Sequence, residues 1–418
     1  MKRRFQKLSN IYFLCVLIGF FINLALVSNS MAFVNSGEPF SQWNSLLGDT
    51  NIDKVEGISL EFVYTGEVFG NFSGGMETGS RYMANIDLTL TVDTEKAGWW
   101  PGGTFFIYGL NNHGSDDGDF SGDLVGDLQT VSNIEASDHW RLYEAWYEQI
   151  FFDGIFSLLL GYHDLNSEFD VTEYGGLFLN SSFGIEPDIS ANVPVSIFPV
   201  VAPGIRIKLQ PNDAFYFQAA VYDGNPGDQD VNTNGLEFRL SSSDGAMSIY
   251  EMGYSIGQDT LPGTYKVGGW YNTANFPDVV TGNPHSRNYG FYFIADQLIF
   301  SEHPESDQGL GLFVQIGNVP DDRNMVDLYV GGGVNYHGLL PGREEDDFGI
   351  AVGHASISNK LVGPGVDSAE TVFEITYLAN LLPWFSIQPD FQYIINPGAD
   401  PAVKNALVGG LRFGIVVK

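Results

Sequence analysis

Regular alternation of apolar and polar side chains is the feature that most constrains what this chain can fold into. Within residues 81–93 the apolar set is Tyr82, Ala84, Ile86, Leu88, Leu90 and Val92. The intervening positions are mainly polar. Because successive side chains of a β-strand point to opposite faces, this segment predicts a strand with one apolar and one polar face. The pattern recurs at 58–67, 139–152, 204–209, 236–241, 264–272, 326–337, 371–377 and 407–417. The sequence therefore predicts an all-β protein.

The N-terminal residues predict export. Basic residues precede an apolar run at 11–27, and Ser30-Met31-Ala32 supplies the small residues that a signal peptidase reads. We expect a signal peptide at residues 1–32, cleaved after Ala32. The alternative is an uncleaved membrane helix, because the run is long enough to span a bilayer. The only cysteine, Cys15, lies in the predicted signal, so the remaining chain has no thiol for a disulfide or a metal.

The lengths of the connections favour a transmembrane barrel over a β-sandwich, which would show the same alternation. Tight turns are predicted at 152–154, 210–213 and 242–245, and long loops at 112–138, 166–203 and 272–287. Short turns on one rim and long loops on the other are typical of outer-membrane barrels, in which the apolar face meets lipid and the polar face lines the lumen.

The strand count is predicted to be sixteen. About seventeen segments look like strands, but bacterial single-chain barrels have an even number, and the strand directions conflict between residues 235 and 272. We expect a lead-in at 33–57 and a single antiparallel transmembrane β-barrel domain at 58–418, with short periplasmic turns and long extracellular loops.

Composition and motifs exclude several classes of function. A net charge of −32 argues against a nucleic-acid partner, because such a protein must neutralise phosphates with basic residues. The sequence contains no H-E-x-x-H motif, no G-x-S-x-G elbow and no glycine-rich phosphate loop. We therefore expect no enzymatic activity and no cofactor.

Two acidic segments, 114–123 and 223–230, are weak candidates for calcium sites. Their candidate ligands are Asp116, Asp117, Asp119, Asp228 and Asp230. Dense carboxylates suit a hard cation, but neither segment has the twelve-residue spacing that ends in glutamate. Solvated acidic loops are the favoured interpretation.

Charged and aromatic side chains on the predicted inward faces are the candidate solute contacts. They are Arg81, Asp87, Glu144, Trp146, Arg206, Lys208, Glu237, Arg239, Lys266 and Trp270. This mixture suits a neutral polyol, because charged groups bind hydroxyls strongly and an aromatic face packs on the C–H face of a sugar. The alternative is that these residues form ion pairs in the wall or tune the field for ions.

Two further features lead to local predictions. In the segment 383–398, Phe385, Ile387, Phe391 and Tyr393 alternate with polar residues, but Pro389 interrupts what reads as a paired strand. Since proline cannot donate to the ladder, we predict a bulge or a ladder break there. Trp99-Trp100 at a short turn is predicted to lie in the interfacial aromatic girdle.

Several segments resemble the carbohydrate-selective porins of the OprB type. They are EAWYEQIFFDGIFSLLLGYHDLNSEF at 144–169, LFLNSSFG at 177–184, VGGWYNTANFPD at 267–278, YGFYFIADQLIF at 289–300 and NYHGLLPGREEDDFGI at 335–350, together with 383–398 and the terminal ALVGGLRFGIVV. The resemblance implies a sixteen-stranded barrel in the outer membrane of a Gram-negative bacterium that passes glucose-like sugars by facilitated diffusion. It also implies loops folded inward, here 112–138 and 166–203, and arginines near the constriction, for which Arg206 and Arg239 are candidates.

Two other functions stay open on the sequence alone. One is a general or cation-preferring diffusion porin, because the acidic loops would favour cations at the mouth. The other is a non-conducting surface barrel that displays acidic loops for adhesion or cation binding. The expected partners are carbohydrates and outer-membrane lipid, with a homotrimer as an open alternative to a single chain.

Overall fold

The computed structural model describes residues 56–114, 118–236, 244–257, 261–303 and 308–417. The predicted signal peptide and nearly all of the predicted lead-in lie outside the described residues. No helix among the described residues is long and apolar enough to cross a membrane.

Sixteen antiparallel strands close into a barrel, as the alternation predicts. The strands are β1 (Ile58–Gly75), β2 (Gly79–Asp93), β3 (Gly103–His113), β4 (Trp140–Phe151), β5 (Phe156–His163), β6 (Ala202–Asn212), β7 (Phe215–Asp223), β8 (Ala246–Ile256), β9 (Gly263–Pro277), β10 (Pro284–Ser301), β11 (Gly309–Asn318), β12 (Val326–His337), β13 (Asp347–Ile357), β14 (Ala369–Leu382), β15 (Phe385–Ile395) and β16 (Lys404–Val417). Each strand pairs with its neighbours in sequence, and β16 returns to pair with β1.

The alternation places apolar side chains on the outside of the barrel. In β15, Phe391 and Tyr393 are 53% and 42% exposed, whereas Asp390 and Gln392, which alternate with them, are buried. At the β2–β3 turn the exposed indoles of Trp99 and Trp100 lie side by side, with ring centroids 5.8 Å apart. The outer surface therefore carries the apolar belt that a membrane barrel requires.

The conflict in strand direction came from missing β8. The predicted strand at 236–241 lies outside the described residues except for Leu236, and β7 and β8 are direct neighbours in the closed barrel. Half of the predicted tight turn at 242–245 also lies outside the described residues, which resume at Asp244. β8 was missed because both of its faces carry apolar side chains, with Met247 and Ile249 inside and Tyr250 and Met252 outside.

The predicted long loop at 272–287 is wrong as well. Strand β9 continues to Pro277 and β10 begins at Pro284, which leaves a short connection. The tight turn at 152–154 is confirmed, and Phe152, Asp153 and Gly154 all have positive φ angles there.

The ladder break at Pro389 is confirmed on one side of β15. Pairing with β14 passes from Thr376↔Asp390 to Ala379↔Ile387, skipping two positions without a change in register. On the other side the ladder with β16 is continuous through Pro389. The Thr376 hydroxyl donates to the Pro389 carbonyl at 3.2 Å, which supplies a side-chain bond where the ladder is interrupted.

Two long connections at the same end of the barrel fold into its interior. We call them the β3–β4 loop (114–139) and the β5–β6 loop (164–201). Phe120 of the first packs on Phe69 of β1, and Phe178 of the second packs on Phe313 of β11, with ring centroids 5.8 and 5.6 Å apart. The inward faces are therefore apolar where the loops cover them, which the simple expectation of a polar lumen did not include.

Candidate functional site

A polar cavity of about 710 Å³ remains between the two inward loops and one side of the barrel wall. The wall contributes Thr65, Asn85, Asp87, Tyr108, Tyr143, Glu144 and Arg412. The loops contribute polar groups that include Asn133, Glu135, Asp164, Asn166 and Ser167. Strands β1 to β4 and β16 thus present hydrogen-bonding side chains to a space that the loops narrow.

Strands β2 and β3 hold one side of the cavity with a short network centred on Asp87. Asn85 Nδ2 and the Tyr108 hydroxyl both donate to Asp87 Oδ1, at 2.6 and 2.7 Å. Alternation brings Asn85 and Asp87 to the same face of β2, and the pairing of β2 with β3 brings Tyr108 beside them.

Strand β4 contributes Glu144, which ties the wall to the β5–β6 loop. Glu144 Oε2 accepts from Trp146 Nε1 at 3.1 Å and from the backbone N–H of Asp164 at 3.0 Å. Asp164 Oδ2 in turn accepts from the Tyr143 hydroxyl at 2.5 Å. The carboxylates of Glu144 and Asp164 are thereby fixed at the edge of the cavity.

Aromatic rings accompany these carboxylates. Trp146 stacks on Phe106 with ring centroids 4.8 Å apart and an interplanar angle of 24°. Tyr108 meets Tyr143 edge to face at 4.9 Å. Hydroxyl-binding groups and aromatic surface therefore occur side by side, which is the combination that binds a sugar.

Arg412 of β16 is the only basic residue lining the cavity within the described chain. Its Nε donates to Glu67 Oε2 at 2.7 Å, and its Nη2 donates to Asn133 Oδ1 at 2.7 Å. Ser132 of the β3–β4 loop donates to the same Glu67 carboxylate. Arg412 is not among the contacts predicted from the sequence, although its position between the outward-facing Leu411 and Phe413 is the signal that would have assigned it to the lumen.

Only two of the ten candidates from the sequence, Asp87 and Glu144, line this cavity; Trp146 donates to Glu144 beside it. Arg206 is 2% exposed and donates from Nη2 to Glu148 at 2.9 Å and to Glu168 at 2.6 Å. Its guanidinium joins the wall to the β5–β6 loop.

The remaining candidates lie elsewhere. Lys208 sits over the Tyr216 ring at 5.1 Å, and Lys266 donates to the Val171 carbonyl at 2.6 Å. Trp270 is buried in a cluster under the β5–β6 loop, and Arg81 donates to the Ser80 carbonyl at 3.1 Å. Glu237 and Arg239 lie outside the described residues.

Wall carboxylates anchor the backbone of both loops. Glu374 of β14 accepts from the backbone N–H groups of Leu179 and Asn180, at 2.6 and 3.0 Å. Glu370, also on β14, accepts from Leu128 and Gln129 of the β3–β4 loop, both at 2.8 Å. Because each carboxyl group accepts from two successive backbone N–H groups, these contacts fix how far each loop enters the lumen.

Burial raises the pKa of carboxyl groups in the two loops. It brings the pKa of Glu135 to about 7 and that of Asp164 to about 6. Within the β5–β6 loop, Asp170, Glu186 and Asp188 are all fully buried near one another, and burial raises the pKa of Asp188 to about 7. The last three carboxyls therefore resist simultaneous ionisation.

Asp188→Asn is expected to reduce the pH sensitivity of the β5–β6 loop. A carboxyl whose pKa is raised by folding destabilises the folded loop increasingly as pH rises from the unfolded pKa of about 4 through the folded value. Amide exchange in 164–201, corrected for intrinsic rates, should lose protection several-fold from pH 5 to pH 8 in the parent and less in the variant. Asp400→Asn, at an exposed connection, is the control. Equal pH dependence in Asp188→Asn and the parent would refute the effect.

The acidic segments do not form a metal site among the described residues, where no three His, Cys, Asp or Glu side chains are arranged to hold an ion. Asp230 Oδ1 accepts from the Ser137 hydroxyl, and Asp228 Oδ1 accepts from the Asp230 backbone, both at 2.7 Å. Asp119 lies in the β3–β4 loop, and Asp116 and Asp117 lie outside the described residues.

Comparison with known proteins places this barrel in a family. The family described as "Carbohydrate-selective porin, OprB family" matches residues 77–416. Porin B of Pseudomonas aeruginosa is 27% identical, over 90% of this chain and 92% of its own. The putative porin QuiX of Acinetobacter baylyi is 22% identical, over 93% of this chain and 97% of its own.

A solved structure agrees with the sequence matches. The structure of Pseudomonas putida OprB determined at high pH is 26% identical and superposes with a TM-score of 0.79, covering 91% of this chain and all of that one. The family match spans most of the chain and includes fourteen complete strands, β2 to β15, and nearly all of β16, so the assignment does not rest on one segment. The chain belongs to the carbohydrate-selective porins of the OprB family, which are channels of the Gram-negative outer membrane.

Proposed function

We propose that carbohydrates cross this outer-membrane porin by facilitated diffusion through the cavity between the two inward loops and the wall. The observation that carries this route is the cavity itself, in which Asp87, Glu144 and Arg412 stand beside aromatic rings. Family membership supports the class of solute. The two other functions left open by the sequence, a general porin and a non-conducting barrel, are not favoured by it.

The chemistry of the cavity suits weak and reversible binding of a sugar. Carboxylates and a guanidinium make charge-assisted hydrogen bonds to hydroxyls, and the aromatic rings of Tyr108 and Tyr143 offer apolar faces to ring C–H groups. A channel must bind its solute well enough to admit it and weakly enough to release it. Some lining groups are already hydrogen-bonded to one another, as Asn85 is to Asp87. Because such groups offer fewer free sites to a sugar, they favour weak binding.

The protein acts as a channel and not as a catalyst in this proposal. Outer-membrane lipid surrounds the exposed apolar belt, which includes Phe391 and Tyr393. Each barrel closes on itself through β1 and β16, so a single chain encloses the complete route.

A liposome-swelling series tests the proposed function. Glucose should enter several-fold faster than an amino acid of matched size and than a matched ion, because only the sugar offers many hydroxyls to the cavity. Trp146→Ala should slow glucose, because it removes the stack on Phe106 and the donor to Glu144. Equal rates for the three solutes would indicate a general diffusion porin, and no swelling with any solute would indicate a non-conducting barrel.

A further inference from the structure

The cavity carries an excess of acidic groups. Its lining includes the carboxyls of Asp87, Glu135, Glu144 and Asp164, and one guanidinium, that of Arg412. That guanidinium is already bound to Glu67, which is fully buried. The cationic group is therefore neutralised by a residue behind the cavity, and the four lining carboxyls have no other basic side chain among the described residues that line it.

The four carboxyls are distributed around the cavity and are not confined to one segment. Asp87 lies on β2, Glu144 on β4, Glu135 in the β3–β4 loop and Asp164 in the β5–β6 loop. Each element thus brings acidic oxygen atoms to the same space from a different direction. A solute that passes between the loops and the wall meets carboxyl groups on both sides.

Two of these carboxyls keep one oxygen free of the hydrogen bonds that hold the group in place. Both donors to Asp87, from Asn85 and Tyr108, bind Oδ1. Both donors to Glu144, from Trp146 and the Asp164 backbone, bind Oε2. Asp87 Oδ2 and Glu144 Oε1 therefore remain as acceptors on rigidly held side chains.

We propose that this pathway prefers protonated amino sugars, of the 2-amino-2-deoxyhexose class, over neutral hexoses. The inference rests on the proposed function and specifies its substrate. An ammonium group brings three donors and a positive charge to the acidic oxygens, while the remaining hydroxyls and ring C–H groups use the same contacts as a neutral sugar.

The titration of the loop carboxyls is consistent with this chemistry. Burial without a nearby cation raises the pKa of Glu135 and of Asp164 above the usual range. A bound ammonium would lower both pKa values and favour the ionised forms. The cavity thus has the electrostatics of a site that a cation completes.

Block of single-channel current in planar bilayers tests the proposal. Glucose, glucosamine and N-acetylglucosamine are added at pH 7, where an amine with a pKa of roughly 7.7–8.0 is mostly protonated. Glucosamine should block at a several-fold lower concentration than glucose, whereas the neutral N-acetylglucosamine should not share this advantage. The advantage should shrink as salt rises, because screening weakens the attraction.

Variants distinguish an effect of the cavity carboxyls from a general effect of the protein's negative charge. Glu144→Gln and Asp87→Asn should reduce the glucosamine-to-glucose preference several-fold, and Glu95→Gln, at the exposed β2–β3 turn, should leave it at the parent value. Equal block by glucosamine and glucose in the parent would overturn the amino-sugar preference while the proposed function stands. If none of the three sugars blocks the current, the proposed function fails as well.

Discussion

Glu374→Ala is expected to raise the single-channel conductance several-fold and to expose the β5–β6 loop to protease. The Glu374 carboxylate is 1% exposed and accepts from the backbone N–H groups of Leu179 and Asn180. Leaving a buried donor without its acceptor costs roughly 1–3 kcal/mol, and the variant would leave two such donors. The segment around these two residues should then leave the wall and widen the lumen.

The same reasoning predicts an independent effect at Glu370, whose carboxylate holds the β3–β4 loop. Glu370→Ala should expose residues near Gln129 to a non-specific protease while the β5–β6 loop stays protected. Glu302→Ala is the matched control, because Glu302 is an exposed glutamate that accepts from Tyr336 and lies at the end of β10 away from both loops. Parent-like conductance and protease resistance in Glu374→Ala would show that this anchor does not hold the loop.

Arg412→Ala is expected to weaken block by glucose at least about fivefold, whereas Arg206→Ala should change stability more than block. Arg412 lines the cavity, so its removal takes a donor from the solute route. Arg206 is buried, with Glu148 and Glu168 as its partners. Breaking a buried ion pair costs about 3–5 kcal/mol, so Arg206→Ala should lower the thermal midpoint and loosen the β5–β6 loop.

A second variant separates the contact of Arg412 with solute from its support of the wall. Arg412→Ala alone would leave the buried Glu67 without its basic partner. The double variant Glu67→Gln with Arg412→Met removes both charges and keeps similar side-chain volumes, so it should remain folded. Glucose should still block its current only weakly. Parent-like glucose block in a folded double variant would contradict a role for Arg412 in the route.

The strands were predictable because one physical rule governs most of them. Lipid outside and polar groups inside give period-two alternation, as in β2, where the predicted range of 81–93 ends at the same residue as the strand. That rule fails in β8, because Met247 and Ile249 face the apolar residues of the β5–β6 loop instead of water. Alternation reports the environments of the two faces, and here both are apolar.

The candidate site was less predictable, because two loops decide which inward residues meet open space. Alternation alone cannot distinguish Glu144, which lines the cavity, from Arg206, which lies under the β5–β6 loop. The scarcity of basic residues drew attention to Arg206 and Lys266, yet both hold the loop in place. Glu374 and Arg412 act through loop residues that are about 195 and 279 positions away in sequence, and no local pattern encodes such contacts.

Glucose-dependent block of current through single channels in a planar bilayer tests the central claim most directly. The parent should show block that saturates with rising glucose, because the sugar occupies the cavity beside Glu144 and Arg412. The double variant Glu67→Gln with Arg412→Met should require a several-fold higher glucose concentration for the same block. Open channels whose current does not respond to glucose at any concentration would contradict the account.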